Sequence, residues 1–151
     1  MKIDGHTALV TGGAHRVGKA IALALARAGA NVVVNYHSSD AAASETVHEV
    51  QALGVDGLAV QADVGDLDDA RALAKAAIDR FGAVDILVNS ASIWLKTPLP
   101  LGDFSDWHRV LGVLLDGPIY LVDALAPLML ARGEGAIVNI VDLSAWKPFA
   151  G

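Results

Sequence analysis

The chain has 151 residues, 54% of them hydrophobic and 19% charged, and a formal net charge of −6. This length fits one domain with an ample core, and the acidic balance offers no basic surface for nucleic acid. The apolar runs are interrupted before a bilayer-spanning length, the N-terminus lacks a signal peptide's apolar region, and the absence of cysteine excludes disulfides. We therefore expect a cytoplasmic protein with no nucleic-acid or membrane partner.

Short apolar segments alternate with helical patterns along the whole chain. The strand candidates, rich in Val, Ile, Leu or Ala, are residues 7–10, 31–36, 57–61, 84–89 and 136–141. Apolar residues at helical spacing indicate four helices, at 17–28, 43–50, 70–81 and 107–129. Asp66 is placed to cap the third helix, and Pro118 is expected to kink or break the fourth. This alternation predicts an α/β fold: a doubly wound parallel sheet of five strands in the order 3-2-1-4-5, with helices on both faces.

The segment from Thr11 to Gly18 lies between the first strand and the first helix. Gly12 and Gly13 permit a tight turn whose backbone N–H groups face an anion, and the positive end of the helix points to the same place. Taken alone, this pattern fits a structural turn as well as a phosphate site.

The end of the second strand predicts which cofactor is bound. Folds that prefer NAD usually place an acid there, but this chain has no carboxylate before Asp40. Arg16 can approach a 2′-phosphate, and His37, Ser38 and Ser39 can donate hydrogen bonds to it. The pattern favours NADP(H), although the two serines and Asp40 are also typical of a helix start.

Three ordered segments resemble the short-chain dehydrogenase/reductase superfamily: residues 11–14 with Gly18, then Asp63-Val64, then residues 89–92. In that superfamily they hold the pyrophosphate, the adenine and the nicotinamide ribose. The resemblance implies a Rossmann-type NAD(P)-binding domain over residues 1–151. The cofactor residues it implies are Gly12, His15, Arg16, Val17, Gly18, Tyr36, His37, Ser38, Ser39, Asp63, Val64, Ser90, Ala91 and Ser92.

Within the superfamily, the chain looks most like the pteridine reductase branch. Arg16 replaces the loop's middle glycine, Tyr36-His37 ends the second strand with Ser39 nearby, and the stretch 89–99 carries an aromatic before Thr-Pro-Leu. Asp142 stands where most of the superfamily has a catalytic Ser, with Ser144 a weaker candidate for the hydroxyl role. The resemblance makes Asp142 a catalytic, substrate-binding residue and Trp94 a stacking platform for a flat pterin. A loop or capping role for Asp142, and a loop or oligomer contact for Trp94, stay open.

Two positions depart from the superfamily pattern. Leu114 replaces the helical Asn of the proton relay, and the Tyr-x-x-x-Lys motif would begin beyond Gly151. We therefore expect the amino-terminal part of a longer reductase, with a fold incomplete at its C-terminus and inactive alone. The fifth strand and fourth helix would be uncovered, which predicts a homo-oligomer, a dimer or a tetramer.

The predicted function is an NADPH-dependent oxidoreductase that transfers hydride to a C=N or C=O group of a small molecule, with a reduced pterin favoured. One alternative is a ketone reductase acting on a 3-oxoacyl thioester or sugar-like substrate. Another is a non-catalytic cofactor-binding fragment. An S-adenosylmethionine-dependent enzyme is disfavoured because Asn35 stands where an acid is usual. The five histidines show no ligand spacing, so no metal site is expected.

Overall fold

The computed structural model describes residues 1–96 and 99–142. Strands and helices alternate, and their bounds are β1 Thr7–Val10, α1 Arg16–Arg27, β2 Asn31–Tyr36, α2 Asp40–Ala52, β3 Gly57–Gln61, α3 Leu67–Phe81, β4 Ile86–Asn89, α4 Ser105–Leu111, α5 Gly117–Arg132 and β5 Ala136–Asn139. The strands pair in parallel in the order β3-β2-β1-β4-β5. The predicted α/β fold and strand order are confirmed, although β4 and β5 are shorter than the predicted segments 84–89 and 136–141.

The central strands β1, β2 and β4 are buried on both faces, because successive side chains point in opposite directions and helices cover both sides. Ala8 and Val10 of β1 belong to the core beneath α1 and α2. Leu9 belongs to the opposite core, beneath α3 and α5, where it shares a cluster with Leu73 and Leu125. Burying each such leucine contributes about 2 kcal/mol. Apolar residues in an unbroken run are therefore what the central strands require.

Both ends of α3 follow their sequence signals. Asp66 accepts hydrogen bonds from the backbone N–H groups of Asp68 and Asp69, at 2.9 and 3.0 Å, which confirms the predicted cap. Gly82 ends the helix in the left-handed conformation, with φ at +80°. The loop that follows β3 is thus held in place by a well-defined helix start.

The predicted fourth helix is not one continuous α-helix. A π-helical turn, Gly112–Asp116, separates α4 from α5, so the kink or break expected in the fourth helix is present and lies just before Pro118. Pro118 lies in the first turn of α5, where its missing N–H group costs nothing. The packing next to it is tight, since a Cβ on Gly117 would lie 2.7 Å from the carbonyl oxygen of Val64.

The span Ser105–Arg132 is long and apolar enough to cross a membrane by length and composition alone, with a mean hydropathy of 1.6. The expectation that every apolar run is too short was therefore wrong for this span. Leu121, Leu125 and Met129 nevertheless pack into the core beside α3. One helix of this length and composition does not by itself indicate a membrane protein.

Candidate functional site

The loop between β1 and α1 approaches the loop after β4 at van der Waals contact. Gly12 has a φ of +61°, and a Cβ at this position would lie 2.9 Å from the Cα of Ala91. A Cβ on Gly18 would lie 2.2 Å from the carbonyl oxygen of Gly12. Glycine is required at both positions, because a side chain would displace backbone that forms the floor of a cleft.

The start of α1 has the features of a helix end that could hold an anion. The N-cap residue His15 is extended and makes no side-chain cap hydrogen bond, and the first turn carries no acidic residue. Arg16 has a φ of +47°, which is rare outside glycine. The helix therefore presents backbone N–H groups and a cationic residue at its positive end.

The residues after β2 line the same cleft. The Tyr36 hydroxyl donates to Asp40 Oδ1 at 2.7 Å, and this hydrogen bond raises the pKa of Tyr36 above its ordinary value. Ser39 occupies the N-cap position of α2 but makes no side-chain cap hydrogen bond. The Ser39 hydroxyl therefore does not cap α2, although a role at a helix start was the alternative to phosphate binding for this residue.

Two buried polar side chains hold these loops together, and sequence reasoning assigned neither a role. Asn35 accepts from the N–H of Gly12 at 3.3 Å and donates to the carbonyl of Ala62 at 3.1 Å. Thr11 Oγ1 accepts from the N–H groups of Ser90 and Ala91, both at 2.9 Å. The loops after β1, β3 and β4 are therefore connected by hydrogen bonds at the carboxyl edge of the sheet, and only their position at strand ends hinted at this.

Asp63, after β3, lies between the side chains of Arg109 and His37. Its Oδ2 accepts a hydrogen bond of 2.5 Å from Nη1 of Arg109 and lies 3.8 Å from Nε2 of His37. Its Oδ1 accepts from the N–H of Gly65 at 3.0 Å. Arg109, on α4, was not predicted to belong to the site.

The structure brings all the predicted cofactor residues around one cleft of about 520 Å³. Trp94 also lines it, with 79% of its surface exposed. The same cleft contains Arg109 and Val113. The geometry is that of one extended pocket, while the role of each residue in it stays a prediction.

Asp142 lines an adjoining cavity of about 780 Å³. Ala91 and Ser92 belong to both spaces, so the two adjoin at the end of β4. Leu114 and Asn89 also line this cavity. Asn89 donates to Asn139 Oδ1 at 2.8 Å, and its own Oδ1 is the one buried side-chain N or O atom without a hydrogen-bond partner in the part of the chain that the structure describes. The cavity therefore combines apolar walls with a few polar atoms, as small-molecule sites do.

Some predicted residues lie outside the described ranges. Thr97, Pro98 and Ser144 are among them. Within residues 1–96 and 99–142, no group of three or more His, Cys, Asp or Glu side chains is arranged to hold a metal ion.

A parallel sheet in this order, with a glycine loop at a helix start and a cleft along the strands' carboxyl ends, defines a dinucleotide-binding domain. The family model described as short chain dehydrogenase matches residues 6–151. The chain belongs to the short-chain dehydrogenase family.

Two similar proteins and one solved structure show which members of the family this chain resembles. A 3-oxoacyl-(acyl-carrier-protein) reductase of Synechocystis sp. is 40% identical over 142 residues, which are 94% of this chain and 58% of the relative. The reductase FabG of Staphylococcus aureus is 40% identical over 134 residues, or 89% and 54% of the two chains. The crystal structure of a metagenomic short-chain oxidoreductase in complex with NADP superposes with a TM-score of 0.90 at 31% identity, covering 99% of this chain and 68% of that one.

This chain spans about half the length of the curated relatives it matches. The relatives are named as 3-oxoacyl reductases and not as pteridine reductases, so the branch assigned from Arg16, Tyr36-His37 and Asp142 is not supported. Arg16 and His37 line the cleft of the predicted cofactor residues, so they do not distinguish a pterin from a ketone substrate, whereas Asp142 lines the adjoining cavity.

Proposed function

We propose that this chain is the cofactor-binding part of an NADP(H)-dependent reductase that converts a ketone to an alcohol, with a 3-oxoacyl thioester as the favoured substrate. The observation that carries the proposal is a pair of adjoining cavities, one lined by the glycine loop, Arg16 and the residues after β2, and the other by Asp142. The similar 3-oxoacyl-(acyl-carrier-protein) reductases support the substrate class.

The residues fit the cofactor. Gly12 and Gly18 allow the backbone of the glycine loop to pack more closely than any Cβ would permit, and the N–H groups at the start of α1 would hold a pyrophosphate. Arg16, His37 and Ser39 would contact the 2′-phosphate, and Asp63 the adenine. The bound dinucleotide would supply hydride from its nicotinamide, and the substrate's carbonyl oxygen would take up a proton.

The protein's own part is to place the carbonyl beside the nicotinamide and to exclude water. Apolar Leu114, Ile119 and Val122 line the substrate cavity and suit an acyl chain. Asp142 also lines this cavity, where it would contact the reacting group. Within residues 1–151 the sequence holds no Tyr-x-x-x-Lys motif, so the proton donor of the family is assigned to no residue of this chain.

A dihydropterin reductase is the second candidate, favoured by one observation. Asp142 stands where a Ser is usual, and a carboxylate accepts hydrogen bonds from the amino and ring N–H groups of a pterin. Exposed Trp94, two residues after Ser92, offers a stacking surface for the pterin ring.

The test is a substrate panel on the full-length protein, followed by the loss of NADPH absorbance. We expect turnover of a 3-oxoacyl thioester and tighter binding of NADPH than of NADH. Turnover of a dihydropterin alone would move the assignment to the second candidate. Binding of NADPH without turnover of any substrate would instead support the non-catalytic cofactor-binding reading.

The predicted homo-oligomer, a dimer or a tetramer, is also a proposal. Leu128 and Leu130 of α5 are 41% and 80% exposed, and β5 is an edge strand with exposed Val138. Such apolar surface favours association with another copy. The cytoplasmic location expected from the composition likewise stays a proposal.

A further inference from the structure

Arg109 forms an ion pair that connects α4 with the adenine end of the cleft. Its Nη1 donates to Asp63 Oδ2 at 2.5 Å, across 46 residues of sequence. The two side chains are 37% and 24% exposed, so the pair is shielded from solvent only in part. Arg109 also lines the cleft that holds Arg16 and His37.

The Asp63 carboxylate lies next to the position assigned to the 2′-phosphate. Its Oδ2 is 3.8 Å from Nε2 of His37, one of the residues proposed to contact that phosphate. An unpaired carboxylate here would repel a phosphate, and this repulsion would weaken NADPH binding while leaving NADH, which has no 2′-phosphate, unaffected. The guanidinium of Arg109 cancels that negative charge.

We propose that Arg109 is a specificity-determining residue, which makes the cleft selective for the phosphorylated cofactor by neutralising Asp63. The inference rests on the proposed NADP(H) function and adds a residue to it. Arg109 acts through Asp63, so it is a positioning residue and not a catalytic one.

The experiment compares dissociation constants for NADPH and NADH, measured by fluorescence titration on the full-length protein. Arg109→Ala is expected to weaken NADPH binding about three- to tenfold and to change NADH binding less than about twofold, given partial exposure and salt screening. Arg109→Lys keeps the charge and should preserve the NADPH preference. Raising the ionic strength should shrink the difference between wild type and Arg109→Ala.

A double variant isolates the charge. Asp63→Asn keeps a hydrogen-bond acceptor but removes the negative charge, so adding it to Arg109→Ala should restore the ratio of the two dissociation constants. The ratio is the readout because an effect on adenine binding alters both cofactors alike. Circular dichroism reports folding, and Arg109→Gln, which is long and neutral, serves if the alanine variant does not fold.

Arg132→Ala is the matched control. Arg132 is 36% exposed and pairs with Asp85 at 2.9 Å, before β4 and away from the cleft. It should leave both dissociation constants unchanged.

Equal losses for NADPH and NADH in Arg109→Ala, or an unchanged ratio, would overturn the inference. Its failure is distinct from that of the proposed function. If wild type itself binds the two cofactors equally, the NADP(H) assignment fails; if wild type prefers NADPH and Arg109→Ala keeps that preference, only the role of Arg109 fails.

Discussion

Replacing Arg16 with glycine separates the backbone conformation of this residue from its charge. Arg16 has a φ of +47°, a conformation that costs an L-residue about 1 kcal/mol or more. Glycine adopts it freely, although its greater freedom in the unfolded chain offsets about 0.5–1 kcal/mol of that gain. The free energy of unfolding of Arg16→Gly should therefore stay within about 1 kcal/mol of wild type.

The same substitution removes the guanidinium from the proposed phosphate site. Hydrogen bonds to charged groups contribute about 1.5–3 kcal/mol, so NADPH should bind about 10- to 150-fold more weakly. The affinity for NADH should change little, since NADH carries no 2′-phosphate. Arg16→Ala should lose the same affinity and should be no more stable than Arg16→Gly, because alanine keeps the strained φ.

The assay combines denaturant unfolding with fluorescence titration of both cofactors on the full-length protein. Arg27→Ala, in the last turn of the same helix, is the control and should change neither cofactor affinity. The reasoning is refuted if Arg16→Gly leaves NADPH affinity intact, or if NADPH and NADH lose affinity equally.

Three further predictions concern local structure. Gly18→Ala should lower the free energy of unfolding by about 3 kcal/mol and abolish NADPH binding, because its Cβ would lie 2.2 Å from a backbone oxygen. Gly102→Ala is the control and should leave the free energy of unfolding and NADPH binding unchanged, because nothing lies within 4 Å of its Cβ. Equal free energies of unfolding for the two variants would contradict this prediction. Asp66→Ala should cost about 1 kcal/mol in denaturant unfolding through loss of the α3 cap, and no loss would mean that solvent replaces the cap fully. The pKa of Asp103 lies below its ordinary value of 3.8 because its carboxylate accepts hydrogen bonds from the Ser105 hydroxyl and N–H. Its stabilising effect should therefore persist above the unfolded-state pKa and disappear as the pH falls through the folded-state pKa. An NMR titration should show that Ser105→Ala raises this pKa, and an unchanged value would show that the hydroxyl is not the cause.

The sheet was predictable because buried parallel strands are continuous apolar runs with helices between them. Residues 7–10, 31–36 and 57–61 agree with the observed strands β1, β2 and β3 at both ends. The sequence did not predict that the interruption of the fourth helix is a π-helical turn. Pro118 signals an interruption, but the choice of a π turn depends on how closely Gly117 packs against Val64.

The candidate site was predictable where a residue follows a strand. Three predicted residues lie within two positions of the end of a strand: Gly12 after β1, His37 after β2 and Asp63 after β3. Parallel topology places them at one edge of the sheet. Arg109 was missed because it lies in mid-helix, and its partner is fixed only by the tertiary packing of α4. Asn35 was considered only as a missing acid, since sequence alone does not show that its side chain is buried and hydrogen-bonded across three segments.

The π-helical turn Gly112–Asp116 sets the rotation of α4 about its axis relative to α5. One residue corresponds to about 100° of helical rotation, so the wider turn offsets the faces of the two helices. Upstream of it, Arg109 is directed to the cofactor cleft, whereas downstream Leu121 and Leu125 are directed to the sheet. The irregular turn therefore connects a segment that borders the cleft with a segment that packs into the core.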